Sequence, residues 1–120
     1  MSSDLGSVTL RRDGGNYAYR VRDTEYRMSK AALNMLAACY EEQFAAAADG
    51  LQRAKVYVFN PGYVVTNLTG EAGVEMRKQT GAGDPRESAR VLAEVTEGKR
   101  DEDQAKGMVN ANSSASWFPW

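Results

Sequence analysis

The sequence predicts an α/β fold: a long helix, a short strand, a second helix and a closing strand, with the two strands parallel. Three observations predict it. From Thr24 to Ala48 apolar side chains recur at helical spacing, with Tyr26, Leu33, Leu36, Tyr40 and Phe44 on one side. Lys55-Val56-Tyr57-Val58-Phe59 is apolar at every position after Lys55, as a strand buried on both faces should be. Asp84-Pro85-Arg86-Glu87 opens another helix, and Gly107-Met108-Val109-Asn110-Ala111 follows as a candidate last strand. A strand, a helix and a strand in that order make a parallel βαβ unit. At 120 residues the chain holds one domain at most.

Each element has a local reason. Residues 1–23 are polar, Gly-containing and Arg-rich, and read as loop. Asp23 and Thr24 are the candidate N-caps of the long helix. Ala31, Ala32, Ala37 and Ala38 keep much of its remaining surface small. Asp49-Gly50 stops it. Asn60-Pro61-Gly62 ends the strand in a sharp turn. Residues 63–83 carry glycines at 70, 73, 81 and 83, and read as a mobile segment with room for a pair of helical turns. In the next helix Asp84 caps, Pro85 takes the first position and Glu87 closes a capping box. Ala89, Leu92, Ala93 and Val95 form its expected buried side, and Gly98 ends it. Lys99–Lys106 reads as charged loop. The tail Trp117-Phe118-Pro119-Trp120 has too many aromatics to be free, so packing is expected there.

Composition excludes several classes of function. Lys plus Arg is 15 and Asp plus Glu is 16, a net charge of -1, which gives no basis for a nucleic-acid or anionic-membrane partner. There is no His, so Ser-His-Asp hydrolysis, Cys-His chemistry and His-ligated metals are excluded. The single Cys39 excludes an internal disulfide and a Cys-rich zinc site. No apolar run is long enough to span a bilayer, and the first residues lack the pattern of a secretory signal. A cytoplasmic location is the default expectation. The glycosylation-type triplets Asn67-Leu68-Thr69 and Asn112-Ser113-Ser114 then read as chance.

Tyr26-Arg27-Met28-Ser29-Lys30 places a phenol and an ammonium four residues apart at a helix start, on one helix face. A nearby cation stabilises phenolate and makes tyrosine a usable proton donor and acceptor. Spacing alone is weak evidence, because such a pair is usually solvated. Its context is more specific. Ser2-Ser3-Asp4-Leu5-Gly6-Ser7 lies upstream, Ala31-Ala32-Leu33-Asn34 follows Lys30, and the strand runs into Asn60-Pro61-Gly62-Tyr63-Val64-Val65-Thr66. With these motifs the chain resembles, over essentially all its residues, the C-terminal half of a short-chain dehydrogenase/reductase. It is most similar to the carbonyl-reductase-like members of the sniffer and C-factor type.

The resemblance implies a truncated Rossmann-type fold and an oxidoreductase that interconverts a carbonyl and an alcohol with NAD(P)(H). Tyr26 would be the general acid/base. Lys30 would stabilise its phenolate and hold the nicotinamide ribose. Ser3, aligned by its step to Gly6, would hydrogen-bond the substrate oxygen. Pro61 and Gly62 would turn the chain beside the nicotinamide, with the Val64 backbone and Thr66 on its carboxamide and phosphate side. Residues 67–83 would be a substrate lid. Each role has a plainer competitor: a frayed Ser3, an ordinary Pro61-Gly62 turn, Thr66 as a helix cap, Trp117 and Trp120 as tail packing. Tyr19-Arg20 and Tyr26-Arg27 look like versions of one phrase, but only Tyr26 stands four before a Lys. Tyr19 is then expected in an inserted loop near the site.

The family grips the cofactor's pyrophosphate with a Gly-rich turn and a helix N-terminus. Among the 11 glycines neither Gly-x-x-x-Gly-x-Gly nor Gly-x-Gly-x-x-Gly occurs. Gly81-Ala82-Gly83 comes nearest, with Arg86 where the third Gly would stand. The resemblance therefore covers a single partial domain, 1–120, starting as the fifth strand ends and lacking the N-terminal βαβ cofactor half, so poor cofactor binding and no turnover are expected of the chain alone. Two strands and two helices are marginal alone. Low solo stability is expected, with association through helix 24–48 in a homo-oligomer or with a full-length relative. The competing expectation is a non-catalytic remnant or interaction module.

Overall fold

Asp23 opens the longest element of the fold. The computed structural model describes residues 1–47, 54–68, 70–111 and 115–120. In it the Asp23 carboxylate accepts from the Tyr26 N–H at 3.2 Å and caps helix α2, Thr24–Ala46. The expected Asp49-Gly50 stop lies outside the described residues, as do Thr69 and the Asn112-Ser113-Ser114 triplet. Residues 1–23 are more ordered than the loop expected of them. Ser3 caps a 3-10 turn over Asp4–Gly6, Ser7 caps helix α1, Val8–Arg12, and Asn16 caps a 3-10 turn over Tyr17–Tyr19. In each case a short polar side chain accepts from an N–H two or three residues ahead, a bond these residues offer locally.

The face by which α2 is held is polar, which corrects the expected apolar stripe. Arg27 and Asn34 are its buried residues, whereas Leu36 and Tyr40 are 48% and 44% exposed. The Arg27 guanidinium donates to the carbonyls of Leu5 at 3.0 Å, Val21 at 3.0 and 3.2 Å, and Ala18. The Ser2 hydroxyl donates to the Asn34 amide oxygen at 2.5 Å. The N-terminal turns are thus bound to α2 through donors that a hydrophobicity pattern does not register.

The sheet is mixed and small. Strand β1, Phe59–Asn60, pairs in parallel with β2, Met108–Asn110, and β2 pairs antiparallel with β3, Trp117–Phe118. The order is β1-β2-β3, with Phe59 opposite Val109 and Asn60 opposite Asn110. On the free side of β1 the Ser2 N–H donates to the Phe59 carbonyl at 2.7 Å. The ladder is shorter than the strand expected over 55–59. Lys55 and Tyr57 instead bond Asp101, at the start of the four-residue helix α5, Asp101–Gln104, where charged loop was expected. The aromatic tail does pack, and its Trp117-Phe118 is a strand the sequence reading did not name.

Between β1 and β2 run α3, Gly70–Gln79, α4, Pro85–Thr96, and α5. Helix α3 fills the segment expected to be irregular. Asp84 caps α4 through the Arg86 N–H at 2.9 Å, with Pro85 at its start, but Glu87 bonds Arg90 at 3.3 Å rather than closing a box. The buried side of α4 is Ser88, Val91 and Val95; Val95 is where it was expected, and Ala89, Leu92 and Ala93 are exposed instead. Ser88 turns inward because its hydroxyl donates to the Pro61 carbonyl at 2.7 Å. Val91 and Val95 then meet Phe59 and Val109 in the apolar core. The α/β class and the parallel βαβ unit are therefore present.

Candidate functional site

A cleft of about 820 Å³ opens past the end of β1. Ser3, Tyr26, Lys30, Pro61, Gly62, Val64 and Thr66 all line it, so the structure brings together every site residue expected from the sequence. Five chain segments build the walls: the first turn, Tyr17 with Val21, the start of α2, the turn after β1, and beyond it Thr66, Leu68 and Arg77.

Tyr26 and Lys30 stand one helical turn apart on α2. The Lys30 ammonium lies over the Tyr26 ring, 5.5 Å from its centroid, within the range of a cation–π contact. Gly6 sets how deeply this turn of α2 sits. A Cβ at Gly6 would fall 2.7 Å from Lys30 Cβ and 2.8 Å from the Lys30 backbone carbon. Only a residue without a Cβ lets the first turn approach the helix this closely.

Ser3 is buried rather than frayed. Its hydroxyl donates to Asp4 Oδ1 at 3.0 Å and accepts from the Leu5 N–H at 3.2 Å. Asp4 Oδ2 accepts from the Tyr17 hydroxyl. Burial, and then this bond to a carboxylate, raise the Tyr17 phenol above its ordinary value, so Tyr17 keeps its proton. Tyr17 lines the cleft, and Tyr19, in the same turn near it, does not. Tyr19 instead stacks under the Arg11 guanidinium, 5.5 Å away.

The turn after β1 is braced from both sides. Asn60 Oδ1 accepts from the Gly62 N–H at 3.2 Å, and Ser88 holds the Pro61 carbonyl. Gly62 has φ +77°, a conformation that favours glycine. Beyond it Val64 bridges Gly83, with the Val65 N–H donating to the Gly83 carbonyl at 3.0 Å and the Gly83 N–H to Tyr63 at 2.9 Å. These bonds close the base of a loop that carries α3. Helix α3 starts at Gly70, too late for Thr66 to cap it. Trp117 and Trp120 do not line the cleft.

Sequence reasoning missed Asp4, Tyr17, Arg77 and the bracing pair Ser88 and Asn60. Asp4 and Tyr17 had no signal in spacing, because a 3-10 turn brings them together. Arg77 was visible as a lid residue but without a partner to define it. Among the described residues no cluster of His, Cys, Asp or Glu has the makings of a metal site. When the chain is compared with known proteins, no family model, no curated protein and no solved structure matches it.

Proposed function

We propose that this chain carries the proton-transfer and nicotinamide-side half of an NAD(P)(H)-dependent oxidoreductase of the short-chain dehydrogenase/reductase type, with a truncated Rossmann-type architecture and a cytoplasmic location. Its substrate is a small carbonyl compound or the corresponding alcohol. One observation carries this reading: residues spread from Ser3 to Thr66 converge on a single cleft.

The cofactor, when bound, supplies or accepts the hydride. The chain does the rest. Tyr26 gives its phenolic proton to the carbonyl oxygen during reduction and takes it back during oxidation. Lys30, over the Tyr26 ring, stabilises the phenolate left behind and reaches the ribose hydroxyls. Ser3 orients the substrate oxygen. With its proton on Asp4, Ser3 is set to accept from an alcohol, and it rotates off Asp4 to donate to a carbonyl. Pro61, Gly62, Val64 and Thr66 shape the nicotinamide wall. Lys30, Thr66 and the backbone near Gly62 suit a ribose and a carboxamide. The glycine pattern supplies no grip for the pyrophosphate, so cofactor affinity is the sharpest test.

That test is a fluorescence titration of NADH and NADPH with the purified chain. Weak but saturable binding, weakened further by Lys30→Met and retained by Tyr26→Phe, is the expected result. No binding up to millimolar cofactor overturns the reading. A second reading, an interaction module without catalysis, draws on the outer face of α2, where Met28 and Met35 are 67% and 66% exposed beside Leu36 and Tyr40. Sedimentation of the chain alone and with Met35→Glu separates the two. A self-associated species that dissociates in the variant, with no cofactor binding in either, favours the second.

A further inference from the structure

The cationic side chains lining the cleft are Lys30 and Arg77. Its acids are already engaged: Asp4 accepts from Ser3, Leu5 and Tyr17, and Asp23 caps α2. Arg77 is the one arginine that lines the cleft. Arg86, Arg90 and Arg100 pair with carboxylates, and Arg27 holds carbonyls. Among the described residues no carboxylate pairs with Arg77, and its Nε is buried with no hydrogen-bond partner. Its guanidinium lies over the Tyr63 ring, 5.5 Å from the centroid. The Tyr63 hydroxyl is in turn fixed to Thr80 Oγ1 at 2.7 Å, just past the end of α3. The guanidinium is thus oriented by aromatic stacking, and among the described residues its terminal N–H groups have no partner.

We propose that Arg77 binds the carboxylate of the substrate, so that the cleft takes an oxo acid or the matching hydroxy acid. The inference rests on the carbonyl–alcohol reading of the cleft. A guanidinium receives a carboxylate end-on through its two terminal N–H groups, two parallel charge-assisted bonds that an ammonium does not reproduce. Leu68, also on the cleft wall, lies against the carbon chain of the acid. In the reduction the carbonyl carbon gains a hydride from NAD(P)H and its oxygen gains the Tyr26 proton. The C=O double bond becomes a C–O single bond, NAD(P)+ is left, and the carboxylate on Arg77 is unchanged.

The test titrates the full chain with 2-oxobutanoate, with its amide and with inorganic phosphate, following the Arg77 Nε–H resonance by NMR. The oxo acid is expected to saturate and shift that resonance, and the amide to bind at least about tenfold more weakly, the size of a lost charged hydrogen-bond pair. Arg77→Met should abolish the preference, while Arg77→Lys, which keeps the charge, should restore part of it. Equal binding of acid and amide overturns the proposal. So does phosphate that outcompetes the oxo acid, since Arg77 then belongs to a cofactor phosphate. NADH titration of the same samples separates the two readings. Cofactor binding without an acid preference removes the role of Arg77 alone. Acid binding at Arg77 without cofactor binding keeps the carboxylate site and removes the oxidoreductase reading.

Discussion

Two regions flank the cleft and are held by different forces. On one side the first turns are joined to α2 by buried polar groups, Arg27 with three carbonyls and Ser2 with Asn34. On the other, α4 is joined to the sheet by Phe59, Val91, Val95 and Val109. Apolar packing degrades in proportion to the atoms removed. A hydrogen-bonded junction fails abruptly, because removing one member leaves its partners buried and unpaired. The polar side carries Ser3, Tyr26 and Lys30, where fixed direction matters more than bulk, and hydrogen bonds supply direction.

The largest expected effect is that of Arg27→Met, which leaves the Leu5, Ala18 and Val21 carbonyls without their donor and should cost about 4 kcal/mol. Urea unfolding measures it, and a loss below about 1 kcal/mol would break the contrast between the two sides. Next comes Gly6→Ala. Its Cβ would meet helix backbone that cannot swing away, and the expected cost is about 3 kcal/mol, at the upper end for overpacking. It should also displace Lys30 from the Tyr26 ring, visible as a change in the tyrosine ring proton shifts. Val91→Ala should cost about 2 kcal/mol and leave those shifts alone. A shift at Tyr26 in this variant would mean that the apolar layer positions the site after all.

The smallest effect concerns a polar tie inside the apolar region. Burial, and then its bond to Asp101, push the Tyr57 phenol up to about 12. The unfolded chain releases this proton near the ordinary value of about 10, while the folded chain keeps it. Stability from this group is therefore full below pH about 10 and is lost as pH rises through about 12. Tyr57→Phe should flatten that alkaline decline and remove the step at about 12 from a spectrophotometric tyrosine titration, leaving the still later one of Tyr17. An unchanged titration would show that the Asp101 bond does not hold in solution.

The same contrast explains what the sequence made legible. Asp23, Asp84 and Pro85 act locally, so the starts of α2 and α4 could be read directly, and the βαβ order followed. The buried sides of both helices were misread because each is set by a polar residue, Arg27 and Asn34 on α2 and Ser88 on α4, and hydrophobic spacing passes over them. Helix α3 was hidden by Gly70 and Gly73. β3 is only two residues long, and its pairing with β2 depends on a chain reversal that no local pattern encodes. The candidate site residues were legible through their motifs, and their convergence on one cleft was not, since it depends on the close approach of Gly6 to Lys30.

Asn60 and Asn110 stand opposite each other at the ends of their parallel strands, both buried, with Asn60 Nδ2 donating to Asn110 Oδ1 at 3.0 Å. Asn110 Nδ2 passes the chain on to the Ala115 carbonyl at 2.8 Å. Sliding one strand past the other by a residue would set Asn60 against Val109 or Ala111 and Asn110 against Pro61 or Phe59, and strand each amide in a dry interior. The pair works as a key that fits a single alignment. It penalises slipped pairings during folding, and it penalises the docking of a foreign strand against β2, which would have no amide to offer at that position.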